Sequence, residues 1–173
     1  TATPQRLRSL AAIGFNRISF GIQDFDPDVQ KAVHRVQSYE SVHDLVAEAR
    51  ALRFESINAD LIYGLPKQTP ESFHRTIDQI AALRPSRIAL YAYAHLPHRF
   101  KPQRRIEQAD LPSGEQRIRM LGDAIAGFIA KGYVRGRTPF DIWERSGTVC
   151  DRGLGGLCVG GAVSPNMANS CDT

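Results

Sequence analysis

Cysteine is scarce in this 173-residue chain: there are three, at positions 150, 158 and 171. An odd number crowded at one end is not the disulfide framework of a secreted domain, so the cytoplasm is the expected location. Long apolar runs are lacking as well. None approaches the ~18 residues that cross a bilayer, and no membrane association is expected. The opening Thr1-Ala2-Thr3-Pro4 has no initiator methionine and no charged stretch followed by an apolar one, so no secretory signal is read there. Charge of one sign is not in great excess. Lys and Arg number 22 against 18 Asp and Glu, and the resulting +4 is too small to specify a nucleic-acid partner. What is present, 42% hydrophobic and 23% charged residues, is the composition of an ordinary globular domain with room for one core.

Up to about residue 135 the chain alternates helix-like and strand-like segments. Thr3-Pro4 opens a short helix with Leu7, Leu10 and Ala11 on one side, ended by Gly14. Residues 17–23 read as a strand. Asp26-Pro27 starts a short helix to about Val33. A longer helix follows from about Ser41, where Val42, Leu45, Val46, Ala49 and Leu52 make one apolar stripe. A second strand runs from Ile57 to Tyr63 and stops at Gly64-Leu65-Pro66. Thr69-Pro70 caps a helix that buries Phe73, Ile77 and Ile80, and a third strand runs from Arg87 to about His95. After a basic loop over 97–112, Ser113 and Gln116 form a capping box for a helix bearing Ile118, Leu121, Ile125, Phe128 and Ile129. A fourth strand is predicted from Gly132-Tyr133-Val134.

Strands near 17, 57, 87 and 133 with helices between them predict an α/β fold with a parallel sheet and right-handed crossovers. A (β/α) TIM-type barrel or a doubly wound sheet both suit these unit lengths. An eight-stranded barrel takes about 250 residues, so the chain supplies about half of one. Residues 1–135 are expected to form this α/β core, a partial barrel in the first case. Residues 136–173 hold seven of the 14 glycines and all the cysteines, and show neither helical nor strand periodicity. They are expected to be an irregular tail, frameshifted or disordered.

Alternation along the strands separates two faces. Ile18, Phe20 and Ile22, then Ile57, Ala59, Leu61 and Tyr63, then Ile88, Leu90, Ala92 and Ala94 form the apolar face. Ser19, Gly21 and Gln23, then Asn58, Asp60 and Ile62, then Ala89, Tyr91, Tyr93 and His95 form the other. A purely structural barrel fills its lumen with Val, Ile and Leu. Here polar groups gather toward the strands' C-terminal ends, where barrel active sites lie. An unpaired buried Asp60 would cost several kcal/mol, of the order found for ions in real interiors. A polar ligand or an internal hydrogen-bond network must therefore meet it.

Three stretches carry a resemblance: residues 14–25 (GFNRISFGIQDF), residues 60–73 (DLIYGLPKQTPESF) and Tyr93-Ala94-His95-Leu96-Pro97. In order and separation they resemble the middle of the oxygen-independent coproporphyrinogen III oxidases, which are radical S-adenosylmethionine enzymes. The heme-chaperone-like proteins of the same superfamily share the first two stretches. Lys67 and the 93–97 stretch favour the oxidases.

The resemblance implies a partial (β/α) barrel and two cofactors, S-adenosylmethionine and a [4Fe-4S] cluster. It implies the substrate coproporphyrinogen III, two of whose propionates are oxidatively decarboxylated to vinyls, giving protoporphyrinogen IX in heme biosynthesis. An electron donor for the cluster and a monomeric state are expected with it. It further implies that Gln23, Arg35, Asp60 and Ala94 contact a second S-adenosylmethionine molecule, distinct from the first one, Ala94 through its backbone. These residue types suit the ligand. An amide serves an amino-acid head group, a guanidinium a carboxylate, and a carboxylate an ammonium or sulfonium. Tyr93 and His95 are candidates to border the substrate. Arg99, Lys101, Arg104 and Arg105 either meet propionates or form a solvated loop.

Two departures stand out. Relatives of this kind hold the cluster with Cys-x3-Cys-x2-Cys near the N-terminus, and Cys150, Cys158 and Cys171 do not have that spacing. The chain is therefore expected to lack the cluster ligands and to be inactive alone. Past Tyr133 it also lacks the Gly-Met-Asp-His-Phe continuation of the family, which suggests a shifted reading frame or a mis-assembled end.

Overall fold

The computed structural model describes residues 2–135, 141–145 and 157–159. Five helices begin at side-chain caps that the sequence supplies. Thr3, Asp26, Ser38, Thr69 and Ser113 each accept from a backbone N–H of the first turn, opening α1 (Pro4–Ala12), α2 (Pro27–Ala32), α3 (Tyr39–Ala51), α4 (Pro70–Leu83) and α5 (Gly114–Ala130). The capping box at Ser113 and Gln116 is present, and Thr69 forms another with Ser72. Helix α3 starts two residues before Ser41, because Ser38 Oγ takes the Ser41 N–H and makes Ser38 the cap.

Three parallel strands follow the sequence pattern: β1 (Arg17–Gln23), β2 (Ser56–Tyr63) and β3 (Arg87–Ala92). Strand β3 ends at Ala92, short of the expected His95. The Gln103 side chain explains this. Its amide accepts from the Leu96 N–H and donates to the Ala94 carbonyl, so the chain after Tyr93 bonds to its own loop instead of extending the ladder.

The fourth strand needs a correction. Strand β4 (Tyr133–Arg135) does not lie beside β3. Strand β5 (Asp141–Arg145) stands between them, antiparallel to both, and the sheet order is β4-β5-β3-β2-β1-β6. Strand β6 (Leu157–Val159) joins the far edge, parallel to β1. Two stretches of the segment expected to be irregular thus lie on the sheet. The physical reason for β5 is Trp143. It is 2% exposed, with its ring 5.9 Å from that of Phe128, and a buried aromatic of this size outweighs weak patterning around it. The remaining positions of 136–173 lie outside the described residues.

Four helices cover one face of the sheet. Leu7, Val42, Val46, Ala49, Phe73, Ile77, Ile80, Met120, Ala124 and Phe128 meet Ile18, Phe20, Ile22, Ile57, Ala59, Leu61, Ile88 and Leu90 in one core. Full burial of each large apolar side chain stabilises by roughly 1.5–3 kcal/mol. The opposite face is only lightly covered. A second, small cluster of Val29, Ile62 and Leu65, with Val33, Tyr91 and Tyr93 against it, sits over the strand ends. The architecture is a partial (β/α) barrel whose inner face is polar.

Candidate functional site

The parallel register of β1 on β2 sets Ser19 beside Asn58 and Gly21 beside Asp60, all on the inner face. These residues form a closed network. Ser19 Oγ donates to Asp60 Oδ2 at 2.7 Å, while Asn58 Nδ2 donates to Asp60 Oδ1 and, at 2.9 Å, to Ser19 Oγ. Asp60 is 5% exposed, so the network answers much of its need for partners. Burial nevertheless pushes its pKa above the usual 3.8, against the hydrogen bonds of Ser19 and Asn58 and the charges of Arg35 and Arg87.

Gln23 lies at the end of β1, where the register slips between Gly21 and itself. The side chain folds back toward Gly21: its Nε2 lies 2.9 Å from the point where a Gly21 Cβ would stand. Arg35 Nη2 is 2.9 Å from the same point and donates to the Gly21 carbonyl at 2.6 Å. Gln23 and Arg35 thus meet over a glycine that leaves them room, beside Asp60. Gln23 Oε1 is buried without a hydrogen-bond partner, which is rare for such an atom and marks where a donor belongs.

The segment carrying Arg35 is anchored on both sides. Gln30 Nε2 donates to the carbonyls of Asp24 and Gln37, and Gln30 Oε1 accepts from the Gln37 N–H. Gln37 Nε2 in turn donates to the Ile22 carbonyl at 2.9 Å. Burial lowers the pKa of Arg35 and the Asp60 charge opposes that, as for a guanidinium drawn partly out of water toward a carboxylate.

Of the residues singled out in the sequence, Gln23, Arg35 and Asp60 are brought together. Ala94, Tyr93 and His95 stand farther on, in the segment past β3. The Ala94 carbonyl accepts from Gln103 Nε2 at 3.1 Å. Tyr93 Oη and His95 Nδ1 are 3.4 Å apart, and burial raises the Tyr93 pKa. Arg99, Lys101, Arg104 and Arg105 are all exposed. Sequence reasoning missed Gly21, Gln30, Gln37 and Gln103. Their contribution is close approach or bonding to backbone, and neither leaves a periodic signal.

Among the described residues, no group of three or more His, Cys, Asp or Glu could hold a metal ion. Cys150 and Cys171 lie outside the described residues. No helix among the described residues is long and apolar enough to cross a membrane.

Residues 1–80, which include this inner face as far as β2, match the family described as the Radical SAM superfamily. The chain is 55% identical over 124 residues to the oxygen-independent coproporphyrinogen III oxidase of Pseudomonas aeruginosa, covering 72% of this chain and 27% of that protein. With the Escherichia coli protein of the same name it shares 50% over 127 residues, covering 73% and 28%. The solved structure of the Escherichia coli coproporphyrinogen III oxidase, described as a radical SAM enzyme, superposes with a TM-score of 0.79 at 45% identity, covering 83% of this chain and 33% of that one. The likeness of this chain is to the radical SAM superfamily, and within it to the oxygen-independent coproporphyrinogen III oxidases. It spans about a quarter of the length of the curated relatives it matches.

Proposed function

We propose that this chain is the S-adenosylmethionine-binding part of an oxygen-independent coproporphyrinogen III oxidase, an oxidoreductase that converts two propionates of coproporphyrinogen III to vinyls. The observation that carries the reading is the buried, unpartnered Gln23 Oε1 beside Arg35 and Asp60. The three groups match the three charges of the ligand. Gln23 Oε1 accepts from its ammonium, Arg35 binds its carboxylate, and the Asp60 carboxylate faces its sulfonium or ammonium. Ala94, in the segment past β3, would contribute backbone.

A [4Fe-4S] cluster with the first S-adenosylmethionine would supply the radical chemistry at the propionates, while Gln23, Arg35 and Asp60 would hold the second S-adenosylmethionine. No group of described residues fits that cluster, and no step through it is assigned to this chain. Its own residues bind and orient the ligand. The apolar strand-end cluster with Tyr91 and Tyr93 suits the pyrrole rings of the substrate, with Tyr93 and His95 at its border.

A chimera tests this reading. Residues 1–125 of this chain replace the matching segment of the Pseudomonas aeruginosa oxidase, and anaerobic conversion of coproporphyrinogen III is measured after reconstitution with iron and sulfide. Conversion supports the reading. A folded chimera that binds heme and converts nothing would point to the heme-chaperone-like relatives instead. The 173-residue chain alone is expected to be inactive.

A further inference from the structure

Gln23 is held in an uncommon conformation. Its φ is 68°, and across it the Asp24 N–H donates to the Ile22 carbonyl at 2.9 Å. This i→i+2 bond around a positive φ is the rarer, strained kind of γ-turn. Such a conformation persists only where its surroundings over-determine it.

The restraint comes from the next residue. Asp24 is 1% exposed, and both of its carboxylate oxygens are engaged. Oδ1 accepts from the Asp26 N–H and from Thr76 Oγ1, each at 2.7 Å, and Oδ2 accepts from Gln68 Nε2. The Asp24 carbonyl takes Gln30 Nε2 at 2.9 Å. Gln68 is equally committed. Its Oε1 accepts from the N–H groups of Gly64 and Leu65, and its Nε2 donates to Asp24 and, at 3.1 Å, to the Ile62 carbonyl. One buried amide therefore joins the end of β1, the end of β2 and the turn into α4. It fits in one orientation only. Flipped, its NH2 would face two N–H donors and its oxygen would face a carboxylate and a carbonyl.

We propose that Asp24 and Gln68 are positioning residues: a buried lock that ties the Gly64–Leu65 turn to the end of β1 and holds Gln23 in the γ-turn that aims its amide at the ligand. The ligand part rests on the proposed role of Gln23. The lock itself rests on bonds between groups that touch no substrate.

The test uses the isotopically labelled 173-residue chain, followed by NMR and by calorimetric titration with S-adenosylmethionine. In Gln68→Met the Gly64 and Leu65 amides exchange at least tenfold faster, the Gln23 backbone shifts leave their left-handed values, and amides in the middle of α4 keep their protection. Affinity for S-adenosylmethionine falls about tenfold. In a Gln23→Ala background the same substitution changes affinity less than twofold, which a merely structural role would not produce. Unchanged Gln23 shifts in Gln68→Met, or an equal loss of affinity with and without Gln23, would overturn the proposal.

Should Gln68→Met fail to fold, the exchange of Asp24→Asn with Gln68→Glu carries the test. Gln68→Glu alone sets two carboxylates face to face, whereas the pair restores a donor opposite an acceptor. Recovery of the Gln23 shifts in the pair supports the lock, and a pair no better than Gln68→Glu overturns it. Absence of S-adenosylmethionine binding in the unmodified chain counts against the proposed function. The Gln23 shifts still decide the lock, so the two failures are distinguishable.

Discussion

Arg35 Nη2 and Gln23 Nε2 occupy the two sides of one missing methyl group, each 2.9 Å from where a Cβ on Gly21 would stand. The glycine is a packing requirement of the two polar residues above it. Both obstructing atoms are ends of flexible side chains, so they can move aside. Gly21→Ala is expected to change stability by less than about 1 kcal/mol, in the range of mild substitutions. It should weaken S-adenosylmethionine binding by about tenfold, equivalent to roughly 1.4 kcal/mol. Thermal melts and calorimetric titration of the same preparation check both expectations.

Asp60 and Asp24 give the fold a pH dependence of unusual sign. Burial raises both carboxyl pKa values above 3.8 in the folded chain. Between the unfolded and folded values the folded state binds more protons, so stability falls as pH rises through that window and levels off above it. Asp60→Asn keeps a side chain that the Ser19 hydroxyl and the Asn58 amide can reorient to meet. It should flatten part of that slope and raise the melting temperature at neutral pH. A pH series of denaturant titrations on both chains reads the difference. A steeper slope in Asp60→Asn would contradict it.

The caps at Thr3, Asp26, Thr69 and Ser113, the positions of the first three strands and the polar face were legible in the sequence, because each depends on local residue type or on a period of two; the cap at Ser38 and the end of β3 were not. Thr3-Pro4, Thr69-Pro70 and the Ser113–Gln116 box act within a few residues of themselves. Gln23 and Asp60 could be placed on one face by alternation alone, although the slip in register at Gln23 could not. What stayed hidden was long-range. The antiparallel β5 depends on where Trp143 finds Phe128, and the early end of β3 on an amide eleven residues beyond Ala92. Gly21 gave no sign in sequence of the two side chains above it.

Tyr133 anchors β4 beneath α5. Its hydroxyl donates to the Pro85 carbonyl at 3.0 Å, and burial pushes its pKa up to about 12 despite three nearby arginines. Ultraviolet titration should therefore show a tyrosine step near 12, and that late step should vanish in Tyr133→Phe. The variant loses one hydrogen bond and leaves a carbonyl short of a partner, a cost of about 1–3 kcal/mol.

Trp143 tests the position of β5. Removing a buried indole typically costs about 3–5 kcal/mol, so Trp143→Ala should lower stability by that much and expose the Phe128 side of the core. The chain has a single tryptophan, so its fluorescence reports the same site directly. The emission should be blue-shifted in the native chain and should move to the red at the unfolding midpoint. Red-shifted emission from the native chain would remove β5 from the sheet.

The most direct measurement compares S-adenosylmethionine with S-adenosylhomocysteine, which lacks the sulfonium charge, by calorimetric titration of the chain and of Asp60→Asn. If Asp60 serves the cationic centre beside Gln23 and Arg35, the unmodified chain prefers the sulfonium ligand by about tenfold or more, roughly 1.4 kcal/mol. That preference should shrink at low pH as Asp60 takes up a proton, and it should disappear in Asp60→Asn. Equal affinity for the two ligands in the unmodified chain, or a preference that survives Asp60→Asn intact, would contradict a site built from these three residues.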